Sequence, residues 1–188
     1  MNNIKGHENV KRSVEIALLG SFSIMLVGGL SSGRKSFIKI IDDFKSINET
    51  EYQYTYAKSF DICECMEKDC ICEVDNIANH RTKLNQTLVK GYDFILELCN
   101  VTFEKLNSKG KLETTENVIK RLEQSTKFTD TKLDSGCTAL LKNAYEKLNL
   151  YPVDYYKIIK IARVIANLDK SEFIEAQHIA EAIQYRRI

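Results

Sequence analysis

Two clusters of residues in this 188-residue chain have the types and spacing to do chemistry. The first is "LVGGLSSGRKSF", residues 26–37, where Gly28, Gly29 and Gly33 follow an apolar run and precede a helical pattern. A phosphate-binding loop of the form G-x-x-x-x-G-K-[ST] cradles phosphates with backbone N–H groups. Its lysine neutralises the terminal phosphates and its hydroxyl holds magnesium. Gly28 and Gly33 have the separation such a loop needs, and Gly29, Ser31 and Ser32 lie between them. Arg34 stands in place of the lysine and Lys35 in place of the Ser or Thr. A forked guanidinium is not a simple replacement for an ammonium. Lys35 cannot ligate magnesium, and Ser36 lies one residue further on, about 100° around the helix axis. The segment reads either as a glycine turn between strand and helix with no ligand or as a turn whose helix N-terminus attracts an anion. ATP or ADP is the candidate ligand, and magnesium is not expected.

The second cluster is Cys63, Cys65, Cys70 and Cys72, in the pattern C-x-C-x4-C-x-C. Residues i and i+2 of an extended hairpin face the same side, so both pairs could point at one tetrahedral zinc. Structural zinc sites more often use C-x2-C knuckles, and a reduced cysteine loop without metal is the competing reading. Cys99, on a strand, and Cys137, on a helix, read as ordinary buried thiols.

The elements that must position these residues follow from periodicity. His7 to Gly20 carries Val10, Val14, Ala17 and Leu18 at helical spacing and ends on glycine, a common C-terminal stop. "FSIMLVG" is a short continuous apolar run, as expected of a buried strand in a parallel sheet. After the glycine loop, Phe37, Ile40, Ile41 and Phe44 line one helical face. "YQYTYAKSF" alternates Tyr52, Tyr54 and Tyr56 with other residues as a strand would, a helix is expected from about Asp75 to Leu84, and "FILELC" reads as another strand. From Glu113 onward three or four helices are expected, the third with Pro152 at its start, where a missing N–H is harmless. The fold class is α/β with a parallel sheet over residues 1–105, followed by an all-helical part over 106–188.

Composition narrows the function classes. A net charge of +1 gives no strong global field for nucleic acid or an anionic membrane, and the two arginines of "QYRR" are too few for a nucleic-acid footprint. No apolar run approaches the roughly 20 residues of a membrane span, and the N-terminus lacks the apolar core of a signal peptide. The expected location is the cytoplasm, where the six cysteines stay reduced or bind metal.

The closing stretch "YYKIIKIARVIANLDKSEFIEAQHIAEAIQYRR" resembles the C-terminal signature of the magnesium chelatase subunit I-like AAA+ ATPases, and within them the ComM (YifB) type. "GHENVKRSVEIALLG" is similar to that family's opening, and "CECMEKDCIC" with the segment after it to its Cys-x-Cys … Cys-x-Cys region. The resemblance implies a P-loop AAA+ core with a helical lid, ATP as ligand and hexameric assembly, with DNA processing in the ComM type. It places His7 at a glutamine that lies by the adenine. It also implies departures: a reduced core without the segment bearing the Walker B Asp-Glu, Asp61 at the position of a polar sensor Asn, and Gly91 and Val153 at positions of catalytic arginines. Those arginines would stabilise charge on the transferring phosphoryl group. Hydrolysis is accordingly not expected. The expected partners are a second copy of the chain or an intact AAA+ protein, and the alternative is a zinc-binding or protein-interaction module derived from that family. His80 and His178 receive no functional role, while Arg163 matches the family's residue and, on a helix with Ile158, Ile159, Ala162 and Ile165, reads equally as structural.

Overall fold

The computed structural model describes residues 6–29, 32–47, 55, 57–61, 72–87, 91–98, 103 and 114–185. These contain seven helices and a three-stranded parallel sheet: α1 Glu8–Gly20, β1 Ile24–Gly28, α2 Arg34–Ile47, β2 Ala57–Asp61, α3 Val74–Thr87, β3 Phe94–Leu98, α4 Thr115–Glu123, α5 Ser135–Lys147, α6 Pro152–Leu168 and α7 Ala176–Gln184. The chain divides into two compact units, Met1–Val118 and Ile119–Ile188. The boundary at 105/106 expected from sequence lies outside the described residues.

In the first unit β1 is the central strand, in the order β2-β1-β3, and both pairings are parallel. That position explains the apolar run: Ile24, Met25 and Leu26 are all buried, because both faces of a central parallel strand are covered. The start of the β1–β3 register is held by Ser23 and Asp93. The Ser23 N–H and hydroxyl both donate to Asp93 Oδ2 at 2.8 Å, and the Asp93 N–H donates to the Ser23 carbonyl at 3.0 Å. The first helix buries Val10, Val14, Ala17 and Leu18, and α2 buries Phe37, Ile41 and Phe44, the spacing of one helical stripe.

Two local expectations are corrected. Gly20 is the last residue of α1, but the left-handed residue that ends the helix is Ser21, with φ 54°. The Phe22 N–H then closes the turn on the Ala17 carbonyl at 2.9 Å. The need for glycine at 20 is steric: a Cβ there would sit 2.2 Å from the Phe22 ring, which packs on Phe94. The third helix runs three residues further than expected, to Thr87. The second strand is Ala57–Asp61, while Tyr52, Tyr54 and Tyr56 lie outside the described residues.

The regular elements among the second unit's described residues are all helices. Its core joins Leu141 of α5, Ile158, Ile161, Ala162 and Ile165 of α6, and Ile179 and Ala182 of α7. Each helix start has a recognisable cause. Asp134 caps α5 by accepting the Cys137 N–H at 2.6 Å, which holds its carboxyl below the ordinary carboxylate range. Pro152 opens α6, and Asp154 accepts the Tyr151 N–H at 3.2 Å. At α7 the cap comes from His178, whose Nδ1 accepts the Glu175 N–H at 2.9 Å.

Candidate functional site

The glycine loop stands at the C-terminal end of the central strand, where β1 hands over to α2. Ligands of open parallel α/β sheets bind beyond the carboxyl ends of the strands. Two features of the loop depend on glycine. A Cβ on Gly28 would lie 2.5 Å from the Ser32 hydroxyl and 2.8 Å from the Leu98 carbonyl, so the loop folds back against its own strand end and against β3. Gly33 has φ +87°, a left-handed conformation that side chains resist. Its carbonyl then accepts the Ser36 and Phe37 N–H groups at 3.0 and 3.2 Å, which starts α2. Ser32 is buried, and both its N–H and its hydroxyl donate to the Gly29 carbonyl, at 3.1 and 2.9 Å. The result is a tight turn delivering the N-terminus of a 14-residue helix.

The basic side chains divide between two environments. Arg34 is buried and already engages a group of the chain, whereas Lys35 and Ser36 are exposed. Lys35 is therefore the basic side chain of this helix end that is open to solvent, beside the positive end of the helix dipole. The one hydroxyl of the first turn of α2 is that of Ser36, one residue beyond Lys35. His7 adopts a left-handed conformation with φ 56°, and its ring meets Phe37 edge-on at 5.9 Å, which brings it beside the first turn of α2. Asp61 pairs in register with Gly28, so an acidic residue stands on the strand next to the loop. Gly91 is exposed, and a Cβ there would meet nothing within 4 Å. Ser31 lies outside the described residues.

Of the cysteine cluster, Cys63, Cys65 and Cys70 lie outside the described residues, and Cys72 is half-buried ahead of α3. Among the described residues no group of three or more His, Cys, Asp or Glu is arranged to hold a metal. Cys137 is buried, and its thiol donates to the Ile174 carbonyl at 3.4 Å. Burial, reinforced by Asp134, pushes that thiol up to about 11, so it is an inert structural group.

In the helical unit, Arg163 and His178 both make contacts that hold loops and helix ends in place. Arg163 is only 5% exposed. It donates to the carbonyls of Ser171 at 2.6 Å, Glu172 at 2.8 Å and Asp130 at 3.4 Å, and it stacks 5.7 Å over the Phe128 ring. Asn167 adds a donor to the Phe128 carbonyl at 3.1 Å. Two irregular segments, 126–130 and 169–173, are thereby tied to α6.

Residues 107–186 match the family model described as magnesium chelatase, subunit ChlI C-terminal. The match takes in all four helices of this C-terminal part, and the Arg163 and His178 contacts fall inside it. The β1–loop–α2 site lies upstream of the chelatase-like region. No curated protein matches the chain. No helix among the described residues is long and apolar enough to cross a membrane.

Sequence reasoning missed one surface of this chelatase-like region. Thr138, Lys142, Tyr145, Pro152, Tyr155 and Tyr156 line a notch of about 350 Å³ between α5 and the start of α6. The signal was three tyrosines in "YPVDYY", ahead of the buried stripe of α6.

Proposed function

We propose that this chain is a non-hydrolysing relative of the magnesium chelatase/ComM-like AAA+ proteins, able to hold the phosphates of a nucleotide at Gly28–Ser36 without cleaving them. The observation that carries the reading is the β1–loop–α2 unit: a central parallel strand, a turn with Gly33 at φ +87° and a helix N-terminus beyond it, joined to a chelatase-type helical region. The same unit supports the absence of turnover. Its first helical turn presents a buried, engaged Arg34 and an exposed Lys35 where a lysine and a magnesium-binding hydroxyl would be required. Ring association or DNA processing, by analogy with the ComM type, is part of this proposal only through the family likeness.

The test is the thermal midpoint of the full chain titrated with ATP, ADP and inorganic phosphate, with and without magnesium. Ligand at 100 times its Kd would stabilise the native state by about 2.7 kcal/mol. A shift with ATP that is independent of magnesium and reduced by Lys35→Glu supports the reading. No shift at millimolar ATP overturns the nucleotide site. The spacing of Cys63, Cys65, Cys70 and Cys72 favours a second reading, a zinc-binding interaction module. Near-stoichiometric zinc in the purified chain, with no response to nucleotide, would establish that alternative instead.

A further inference from the structure

We infer that His178 is a proton-operated latch at the start of α7: neutral, its ring caps that helix, and protonated, it gives up the cap and pairs with Asp169 at the end of α6. A helix N-terminus is often closed by a capping box, in which a Glu or Gln three residues beyond the cap reaches back to the cap's own N–H. Here the cap residue is Glu175, and the residue three places on is His178, whose Nδ1 accepts the Glu175 N–H at 2.9 Å. A glutamine in that place has an oxygen that accepts at any pH. An imidazole accepts only while Nδ1 keeps its lone pair. The ring is 1% exposed, so solvent does not take over when that bond is lost.

The other edge of the ring is set for the exchange. With Nδ1 as acceptor, the neutral ring carries its proton on Nε2. That nitrogen is buried and makes no hydrogen bond among the described residues, while Asp169 Oδ2 stands 3.6 Å from it. Asp169 is fixed at the end of α6, where its N–H donates to the Ile165 carbonyl at 3.0 Å. A second proton turns Nδ1 into a donor facing the Glu175 N–H, donor against donor, and the cap bond is lost. The same proton places a positive charge beside the Asp169 carboxylate. A movement of a few tenths of an ångström then brings Nε2–H into hydrogen-bond range of Oδ2. The proton thus trades a tie within the first turn of α7 for a tie between α6 and α7. The other charged and titratable groups around the ring are committed elsewhere or lie at the surface. Arg163 of α6 donates to the Ser171 and Glu172 carbonyls. At the start of α5, Asp134 accepts the Cys137 N–H, and burial keeps the Cys137 thiol protonated. The Glu175 carboxylate accepts from the Ser171 and Gln177 side chains at 3.3 and 3.0 Å, and Glu181 from the Tyr185 hydroxyl at 3.0 Å. Lys170 and Glu172, between α6 and α7, are exposed. The inference concerns the helical unit alone and is independent of whether nucleotide binds the glycine loop.

The test is nuclear magnetic resonance of the full nitrogen-15-labelled chain from about pH 8 to about pH 5, the span in which a histidine switch operates. At the alkaline end the His178 ring should show a bare Nδ1 and a protonated Nε2. As the ring gains its second proton, the Glu175 amide proton should move upfield with the same midpoint, because it loses its acceptor. Asp169→Asn should move that common midpoint to lower pH by at least about half a unit, since the charged ring loses its carboxylate. His178→Gln places the ordinary capping-box residue there and should hold the Glu175 amide in one position across the whole range. Far-ultraviolet circular dichroism checks that each variant is folded. A Glu175 amide that does not follow the His178 ring overturns the inference. So does a shift that persists in His178→Gln, which would belong to the Glu175 carboxylate, or a midpoint indifferent to Asp169→Asn. A ring with its proton on Nδ1 at the alkaline end overturns it in the unaltered chain, whatever the variants do.

Discussion

Replacing Arg163 by Met should destabilise the helical unit more than any surface substitution on it. The side chain is 5% exposed and its guanidinium makes two short bonds, 2.6 Å to the Ser171 carbonyl and 2.8 Å to the Glu172 carbonyl. A hydrogen bond to a charged group contributes about 1.5–3 kcal/mol, so the two together amount to about 3–6 kcal/mol gross. Removing the buried charge recovers part of this, since burial disfavours the cation and pushes Arg163 below the ordinary guanidinium range. The third, 3.4 Å bond to Asp130 and the contact with Phe128 act in the other direction. The net loss is about 3 kcal/mol, which in a unit of this size lowers the midpoint by at least about 10 °C. Arg163→Lys should recover less than half, because one ammonium cannot span two carbonyls that a fork holds together. The assay is thermal unfolding at 222 nm, with urea unfolding to give the free energy. A loss under about 1 kcal/mol for Arg163→Met, or full recovery by Lys, would refute the clamp.

Gly20→Ala should lower stability by about 1–3 kcal/mol, since its Cβ would fall 2.2 Å from the Phe22 ring, and Phe22→Leu in the same chain should relieve part of that loss in a double-mutant cycle. Gly28→Ala should destabilise the first unit and also abolish any ATP-induced shift, because the backbone carbonyl of Leu98 that the new Cβ would meet at 2.8 Å cannot rotate aside. Stability should also depend on pH at both extremes. The folded-state pKa of Cys137 lies near 11, above its unfolded value, so its contribution is present below about pH 8.5 and is lost as pH rises toward 11. Cys137→Ala should flatten that alkaline limb. Asp134 has the opposite sign: its folded pKa is lowered, so its contribution is present above about pH 4 and is lost on acidification through the folded value. Asp134→Asn, which can still cap α5, should flatten the acid limb of a pH-resolved unfolding series.

The elements were largely legible in the sequence because their cause is local. The continuous run Ile24, Met25, Leu26 needs only a covered central strand, and the stripe Phe37, Ile41, Phe44 needs only a helix with one buried face. The glycine loop was legible as a turn, since Gly33 can take the positive φ that a side chain resists. What was not legible depends on contacts between distant residues. Arg163 sits in an apolar helical pattern, but its partners at 130, 171 and 172 come from two loops that no periodicity predicts. His178 caps its helix through Nδ1, a role that depends on the turn at Glu175 and on one tautomer. Gly20 read as a helix stop, whereas it makes room for a ring two residues on. The tyrosines at 151, 155 and 156 could equally have been core, because helical spacing does not say which end of a helix lacks a neighbour.

On the function proposed above, the glycine loop is a phosphate-binding turn without the chemistry to cleave ATP. Steady-state phosphate release by the full chain with saturating ATP and magnesium tests it most directly. No release above the protein-free blank is expected, and none when Lys and Thr are placed at Arg34 and Lys35 (R34K/K35T). Sustained turnover by the unaltered chain, abolished by Gly33→Val, would contradict it.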